Sequence, residues 1–165
     1  MGLKEDMDRI ALQERELTLP RFDAKVAWDL GTRLHTMAVE RGYSVAIDVR
    51  RFGQPLFYAA MDGTTPDNAE WVRRKSNTVA RFHHSSLWVN QRMQSKNTTL
   101  HERYGVPLAD YASDGGAFAL SVENAGVVGS ATVSGLTQRE DHDLVVEALC
   151  AMLDRNYADL RLPPE

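Results

Sequence analysis

A run of basic and hydroxylated side chains between Trp71 and Ser86 is the part of this chain best suited to chemistry. Helical spacing of i, i+3, i+7 and i+11 places four of its polar residues on one face: Arg74, Asn77, Arg81 and Ser85. Lys75 lies on the flank of that face. Arginine binds carboxylates and phosphates through paired hydrogen bonds, and serine adds a hydroxyl group. The run predicts either a site for an anionic ligand or a salt-bridge network within or between subunits, and the residues alone leave both open.

Within this polar run we expect Arg81→Ala to impair assembly or ligand binding more than Lys75→Ala does. Arg81 shares its face with Arg74 and Ser85, whereas Lys75 lies beside them. Removing one member of a buried charged network leaves the others without partners.

Two further segments carry groups that favour a ligand. Gly115 and Gly116 allow either a close backbone approach to a ligand or a bend leading into a strand. The segment Ser134–Thr137 opens a helix, whose free N–H groups attract anions. If both segments meet the Arg81 face, the ligand interpretation gains support.

His142 is the one weak candidate for a catalytic acid or base. It lies between Asp141 and Asp143, carboxylates that could orient its ring, or that serve only as first-turn acids of a helix. No histidine pair has the spacing of a zinc-binding helix, and we predict no metal site. The remaining histidines fit surface or capping roles.

Composition excludes several classes of protein. Among 165 residues, 19 are basic and 23 acidic, for a net charge of -4, so neither nucleic acid nor a membrane is an expected partner. A single cysteine, Cys150, excludes an internal disulfide and lies on the apolar side of a predicted helix. The acidic start of the chain has no apolar signal segment, which predicts a cytoplasmic protein.

Hydrophobic periodicity and turn residues predict a single α+β domain over residues 1–165, with its core between about 3 and 157. Helices are expected over Leu3–Leu17, Asp23–Arg41, Thr65–His83, Ser85–Met93 and from Thr137 to about Tyr157. Two hairpins are expected, with strands over Tyr43–Arg50, Gln54–Met61, Gly116–Glu123 and Val127–Val133. Gln94–Leu108 lacks periodicity and is predicted to be a long loop. The order of elements predicts an antiparallel β-sheet with helices packed on it, a layered sandwich compatible with a profilin-like arrangement.

Several short motifs together resemble the HbpS- and GlcG-like haem-degrading domain family, closest to its uncharacterised cytoplasmic subfamily with yeast and bacterial members. The motifs are M-D-G at Met61–Gly63, the basic pattern of Arg74–Phe82, Ser85-Ser86, Gly115-Gly116 and the G-x-x-x-V-S-G-L-x-x-x-x-D-H run of Gly129–His142. Close relatives in that subfamily tend to have proline where this chain has Ala119. The strand can therefore donate a backbone hydrogen bond there that proline would forbid.

The resemblance implies a sheet with helices on its faces, dimers that assemble into larger rings, and haem or iron binding in some members. It supplies no haem ligand for this chain. Stable haem ligation needs an axial His, Cys, Met or Tyr in an apolar pocket, and His83 or His84 is the best available contributor, so we expect haem to bind weakly.

Taken together, the sequence predicts a homo-oligomer that binds a small anionic molecule, with haem the cofactor that the resemblance implies. The residues proposed to bind that ligand are Arg74, Lys75, Asn77, Arg81, Ser85, Gly115, Gly116 and His142. Two alternatives stay open: a non-enzymatic assembly module, and an enzyme acting on a small carboxylated metabolite through His142.

Overall fold

A computed structural model describes residues 2–165 of the chain. In chain order the elements are α1 (Leu3–Glu16), α2 (Ala24–Arg41), β1 (Ala46–Arg51), β2 (Gln54–Ala60), α3 (Pro66–Phe82), α4 (Ser86–Ser95), α5 (Leu100–Tyr104), β3 (Ala117–Val122), β4 (Gly126–Ser134), α6 (Gln138–Met152) and α7 (Tyr157–Leu160). Within residues 2–165, none of these helices has the length and apolar character needed to span a bilayer.

The strands form one antiparallel sheet in the order β2-β1-β4-β3. Successive side chains on a strand point to opposite faces, so each strand supplies two layers. One face packs against α2 and α6 and forms the main core, which includes Ile47, Phe118 and Leu149. The other face packs against α3, where Val79 contacts Ala117 and Ala119. This architecture confirms the predicted α+β class.

The helix boundaries follow the capping residues. The Asp23 carboxylate accepts from the Val26 N–H at 2.9 Å, and Gly42 ends α2 with φ of +69°. Pro66 is the first residue of α3, and the Asn68 side chain accepts from the Thr65 N–H at 3.0 Å. Thr137 and Glu140 form the predicted capping box of α6. These positions fix where α3 and α6 begin, and both beginnings border the site described below.

The predicted long loop at Gln94–Leu108 is wrong. Helix α4 continues to Ser95, and α5 spans Leu100–Tyr104 between a Thr99 cap and Gly105. A five-residue helix is too short for apolar periodicity, so only its two caps signalled it. The last helix also ends earlier than predicted, at Met152, and Tyr157 begins α7.

The hydrogen bond predicted where relatives have proline is confirmed. The Ala119 N–H of β3 donates to Ser85 Oγ at 3.1 Å, and the Ala117 N–H donates to Ser86 Oγ at 3.1 Å. Both serines are buried. Strand β3 is an edge of the sheet, and these two hydroxyl groups accept N–H groups that a neighbouring strand would otherwise pair. They thereby join the start of α4 to β3.

Candidate functional site

A surface cavity of about 260 Å³ lies between the first half of α3, the segment before β3 and the turn from β4 into α6. Its lining is mainly polar, with one aromatic wall. The lining residues are Asn68, Trp71, Lys75, Asp114, Ser134, Gly135, Leu136, Gln138 and Asp141. Of the predicted ligand-binding residues, this cavity contains Lys75, with Gly115 and Gly116 at its edge.

Lys75 is the central cation of the cavity. Its Nζ donates to Asp141 Oδ2 at 3.2 Å and to the Val133 carbonyl oxygen at 3.3 Å, and its side chain is only 4% exposed. A lysine ammonium group carries three N–H donors. Among residues 2–165, two of these donors have protein acceptors. The third N–H has no acceptor among the described residues.

Asp141 joins Lys75 to the β4–α6 turn. Its carboxylate also accepts from the Leu136 N–H at 2.9 Å and from the Gly135 N–H at 3.4 Å. Burial raises the pKa of Asp141, although Lys75 and these two N–H groups act in the opposite direction. The N–H groups that were expected to attract an anion are thus already paired with a carboxylate of the same chain.

The two glycines at the cavity edge allow close approaches that a side chain would prevent. A Cβ on Gly116 would lie 2.4 Å from the Val133 oxygen and 2.8 Å from Lys75 Nζ, and its φ is +136°. A Cβ on Gly115 would lie 2.4 Å from the Gln138 oxygen, and the Gly115 N–H donates to the Gln138 side chain at 3.0 Å. The glycine pair and the β4–α6 turn therefore meet Lys75, and not Arg81.

The outward face of α3 binds another segment of the same chain. Arg74 Nε donates to the Leu108 oxygen at 3.1 Å, and its guanidinium lies 4.7 Å from the centre of the Trp71 ring. The Asn77 side chain donates to the Asp110 oxygen at 2.8 Å. These two residues hold the segment between α5 and β3 along α3, and neither lines the cavity.

Arg81 lies in the last turn of α3, whereas Ser85 lies beyond the end of that helix, at the N-cap of α4, so the predicted shared helical face does not include Ser85. Arg81 is exposed, with its guanidinium 5.7 Å from the centre of the Phe82 ring and 6.0 Å from that of Tyr111. Ser85 is buried and accepts the Ala119 N–H. Of the residues in the polar run, Lys75 alone enters the cavity.

His142 faces the core on the side of α6 away from the cavity. It is fully buried, its Nε2 lies 2.8 Å from Gln13 Oε1, and its ring packs near Phe118. Burial and the nearby Arg139 lower the pKa of His142 from 6.5 to about 3. A neutral imidazole enclosed in this way has no access to a ligand in the cavity. Its neighbour Asp141 points instead to Lys75.

Sequence reasoning did not select five residues of the cavity as ligand contacts: Asn68, Trp71, Asp114, Gln138 and Asp141. Two signals were available. Asn68 and Gln138 lie in the first turns of α3 and α6, which follow β2 and β4 at the same end of the sheet. Asp141 is an acidic residue one turn after the S-G-L-T cap of α6. Within residues 2–165, no three His, Cys, Asp or Glu side chains gather closely enough to hold a metal ion.

For stability, the burial of the two side chains favours the opposite order, with Lys75 ahead of Arg81. Lys75→Ala would leave the Asp141 carboxylate, 3% exposed, without its cation, whereas Arg81→Ala removes an exposed side chain. We expect Lys75→Ala to reduce the free energy of unfolding by about 3 kcal/mol or more. We expect Arg81→Ala to change it by about 0.5 kcal/mol or less. Urea denaturation of both variants at neutral pH measures the difference, and equal losses would contradict the importance given to the Lys75–Asp141 pair.

Buried neutral His142 should make the fold sensitive to acid. Between pH 6.5 and about 3 the unfolded chain binds a proton at this position and the folded chain does not, so stability falls as the pH falls through this window. Replacing His142 with Gln removes this titration and keeps a donor for Gln13. We expect His142→Gln to lose less of its neutral-pH stability than the natural chain when both are moved from pH 7 to 4.5.

Urea denaturation across that pH range checks this result, with His35→Gln on the exposed side of α2 as the matched control. Asp143 contributes with the opposite sign, because burial raises its pKa to about 6 and favours the folded state at low pH. Both variants retain Asp143, so the comparison isolates His142. Identical pH slopes for His142→Gln and the natural chain would contradict the prediction.

Comparison with known proteins gives the chain a family. The family model for haem degrading protein HbpS-like matches residues 22–150. A UPF0303 protein of Burkholderia thailandensis is 57% identical over 162 residues, covering 98% of this chain and 98% of its own length. A UPF0303 protein of Burkholderia cenocepacia is 54% identical with the same coverage.

Solved structures show the same fold. The crystal structure of the Ybr137w protein matches with a TM-score of 0.84 at 30% identity, covering 93% of this chain and 92% of that one. HbpS matches with a TM-score of 0.64 at 20% identity, covering 81% and 90% of the two chains. A complex of PduOC with haem matches with a TM-score of 0.64 at 16% identity, covering 74% and 88%. The helices, the four-stranded sheet and these sequence matches agree, and the chain belongs to the HbpS-like haem-degrading protein family, within its UPF0303 group.

Proposed function

We propose that this protein binds a small anionic molecule in the cavity beside Lys75. The observation that carries the proposal is a buried ammonium group with one N–H left for a ligand. A carboxylate that accepts this N–H would form a charge-assisted hydrogen bond with an ammonium group that is only 4% exposed. Asn68 and Gln138 supply amide groups at the cavity wall, and Trp71 supplies an aromatic surface.

The other charges of the cavity narrow the class of ligand. Asp114 is exposed in the lining, and Asp141 already neutralises Lys75. A simple inorganic anion would gain little binding energy here, because the two carboxylates offset the charge of Lys75. A small carboxylate that also carries hydroxyl or amino groups can pair with Lys75 and donate to Asp114, so hydroxy acids and amino acids fit better.

Glycerate tests this proposal, with glycerol as the neutral control that lacks the carboxylate. We expect glycerate to shift the indole N–H resonance of Trp71 in an NMR titration and glycerol to leave it unchanged at the same concentration. The double variant Lys75→Met with Asp141→Asn removes both charges without leaving either unpaired. It should fold and bind glycerate at least about tenfold more weakly.

Arg81→Ala is the control variant for this titration, because Arg81 lies outside the cavity lining. It should bind glycerate like the natural chain. The proposal fails if neither hydroxy acids nor amino acids move the Trp71 signal, or if the double variant binds as well as the natural chain.

Self-association is a second candidate property, favoured by apolar surface around strand β2. This strand is an edge of the sheet, Trp28 next to it is 58% exposed and Tyr58 is 45% exposed. Trp28 packs edge-on against Phe57, whose side chain points to the opposite face of the sheet from Tyr58. Exposed apolar groups on both sides of an unpaired edge favour contact with a second copy.

We expect the chain to sediment as a dimer or larger assembly at micromolar concentration, and Trp28→Glu to dissociate it by placing a charge in the contact. Thr36→Glu, on another exposed position of α2, is the matched control and should leave the assembly intact. A monomeric natural chain in sedimentation velocity would contradict this proposal and remove the basis for an assembly module.

The residues present do not fit an enclosed haem. His142 is buried against Gln13, and exposed His83 stacks on Phe52 with ring centres 5.6 Å apart. His84 lines a second cavity, but this cavity has a volume of about 230 Å³, below the range of about 300–1,000 Å³ for sites of drug-sized ligands. A porphyrin exceeds that space.

We therefore expect haem to bind weakly, with His84 the main contributor. Titration with haem should give a broad change in the Soret band without a stoichiometric end point, and His84→Ala should reduce it more than His101→Ala. A sharp one-to-one shift with submicromolar affinity, lost on changing one histidine, would instead make haem binding the function.

A further inference from the structure

A second cavity, formed by the end of α3 with α4 and α5, differs in character from the Lys75 cavity. It holds about 230 Å³ and is lined by Phe82, His84, Trp88, Val89, Arg92, Met93 and Tyr104. Buried Val89 and Met93 are its most enclosed members, and the three aromatic rings and the Met93 thioether give it an apolar, polarisable wall. None of its lining residues is acidic.

The cation of this cavity is Arg92. Arg92 is exposed, its guanidinium lies 5.9 Å from the centre of the Trp88 ring, and it makes no ion pair with any of residues 2–165. Nearby His84 is already occupied: its Nδ1 lies 3.1 Å from Glu14 Oε2, and its ring stacks on Trp88 with centres 3.8 Å apart. Arg92 is thus the group of the cavity available to pair with an acid.

We propose that this cavity binds a small aromatic carboxylate, with the ligand ring among Phe82, Trp88 and Tyr104 and its carboxylate paired with Arg92. Aromatic rings pack well in offset or edge-to-face contact with such a wall. The arginine fork matches a carboxylate and holds it through two hydrogen bonds. Size agrees with the chemistry, because an apolar cavity of about 150 Å³ holds benzene, and this one has room for one or two fused rings.

This site is independent of the proposed function. Trp71 lines the Lys75 cavity, Trp88 lines this one, and Trp28 lies on α2 outside both. The indole N–H resonances of these three residues, assigned by Trp→Phe variants, therefore report separately on the two cavities and on a control surface. Failure at one cavity is distinguishable from failure at the other.

Indole-3-acetate is the test ligand, and indole is the neutral control of nearly the same shape. We expect indole-3-acetate to shift the Trp88 resonance in a saturable manner without shifting Trp28, and to bind at least about tenfold more tightly than indole. Arg92→Gln should remove this preference for the acid while leaving the weaker binding of indole unchanged. Arg92→Lys should retain part of the preference, because lysine keeps the positive charge but cannot form the two parallel hydrogen bonds that the guanidinium group makes to a carboxylate.

Arg103→Gln is the matched control. Arg103 lies 5.7 Å from the centre of the Tyr104 ring but does not line the cavity, so its removal changes local charge without changing the site. The assignment is overturned if Arg92→Gln and Arg103→Gln weaken the acid equally, or if indole-3-acetate leaves Trp88 unchanged. It is also overturned if the Trp88 resonance shifts when the protein concentration is raised but not when indole-3-acetate is added. That result would show that a second copy of the chain covers the cavity.

Discussion

The buried ion pair between Lys75 and Asp141 ties the two helical layers of this protein to each other. Lys75 projects from α3, which packs on one face of the sheet, and Asp141 belongs to α6, which packs on the other. Two buried charges cost several kcal/mol of lost hydration unless their remaining hydrogen-bonding groups are also paired. The chain meets this requirement for Asp141 with the Gly135 and Leu136 N–H groups, and meets it only in part for Lys75.

Two glycines allow the backbone to pass close to the Lys75–Asp141 pair. Gly116 and Gly135 both have positive φ, and a Cβ on either would lie within 2.5 Å of a carbonyl oxygen. The chain can therefore pass beside the ammonium group and turn from β4 into α6 without pushing the two charges apart. The cavity lies beside Lys75, with Asn68 and Gln138 among its lining residues.

Helix α3 divides its polar residues between two tasks. Arg74 and Asn77 hold the segment that follows α5, and Thr78 adds a hydrogen bond to the Ala112 oxygen at 2.8 Å. These contacts lie within one chain and are hydrogen bonds to backbone oxygens, not the ion pairs of the predicted salt-bridge network. Lys75 is the exception, and its position toward the sheet turns a charged residue into the centre of a candidate site. The second cavity lies where α3 ends, so both candidate sites depend on how this helix is held.

Much of the architecture could be predicted from the sequence alone. The caps at Asp23, Thr65 and Thr137 and the glycine turns of the hairpins determined where the main helices and strands begin and end, because these signals are local. The core position of Cys150 also followed from its place on an apolar helix face. The short helix α5 was missed, since five residues carry no period to detect.

Tertiary structure alone decided which charged groups meet. Periodicity predicted a shared face for Arg74, Asn77 and Arg81, but it cannot say which face of α3 turns toward the sheet. Lys75, one residue after Arg74, lies on the inner side. In the same way, the sequence of α6 shows that Asp141, His142 and Asp143 are consecutive, but it does not show which residues they contact. Asp141 reached Lys75 across 66 residues and His142 reached Gln13 across 129, contacts that depend on how helices from distant parts of the chain pack on the sheet.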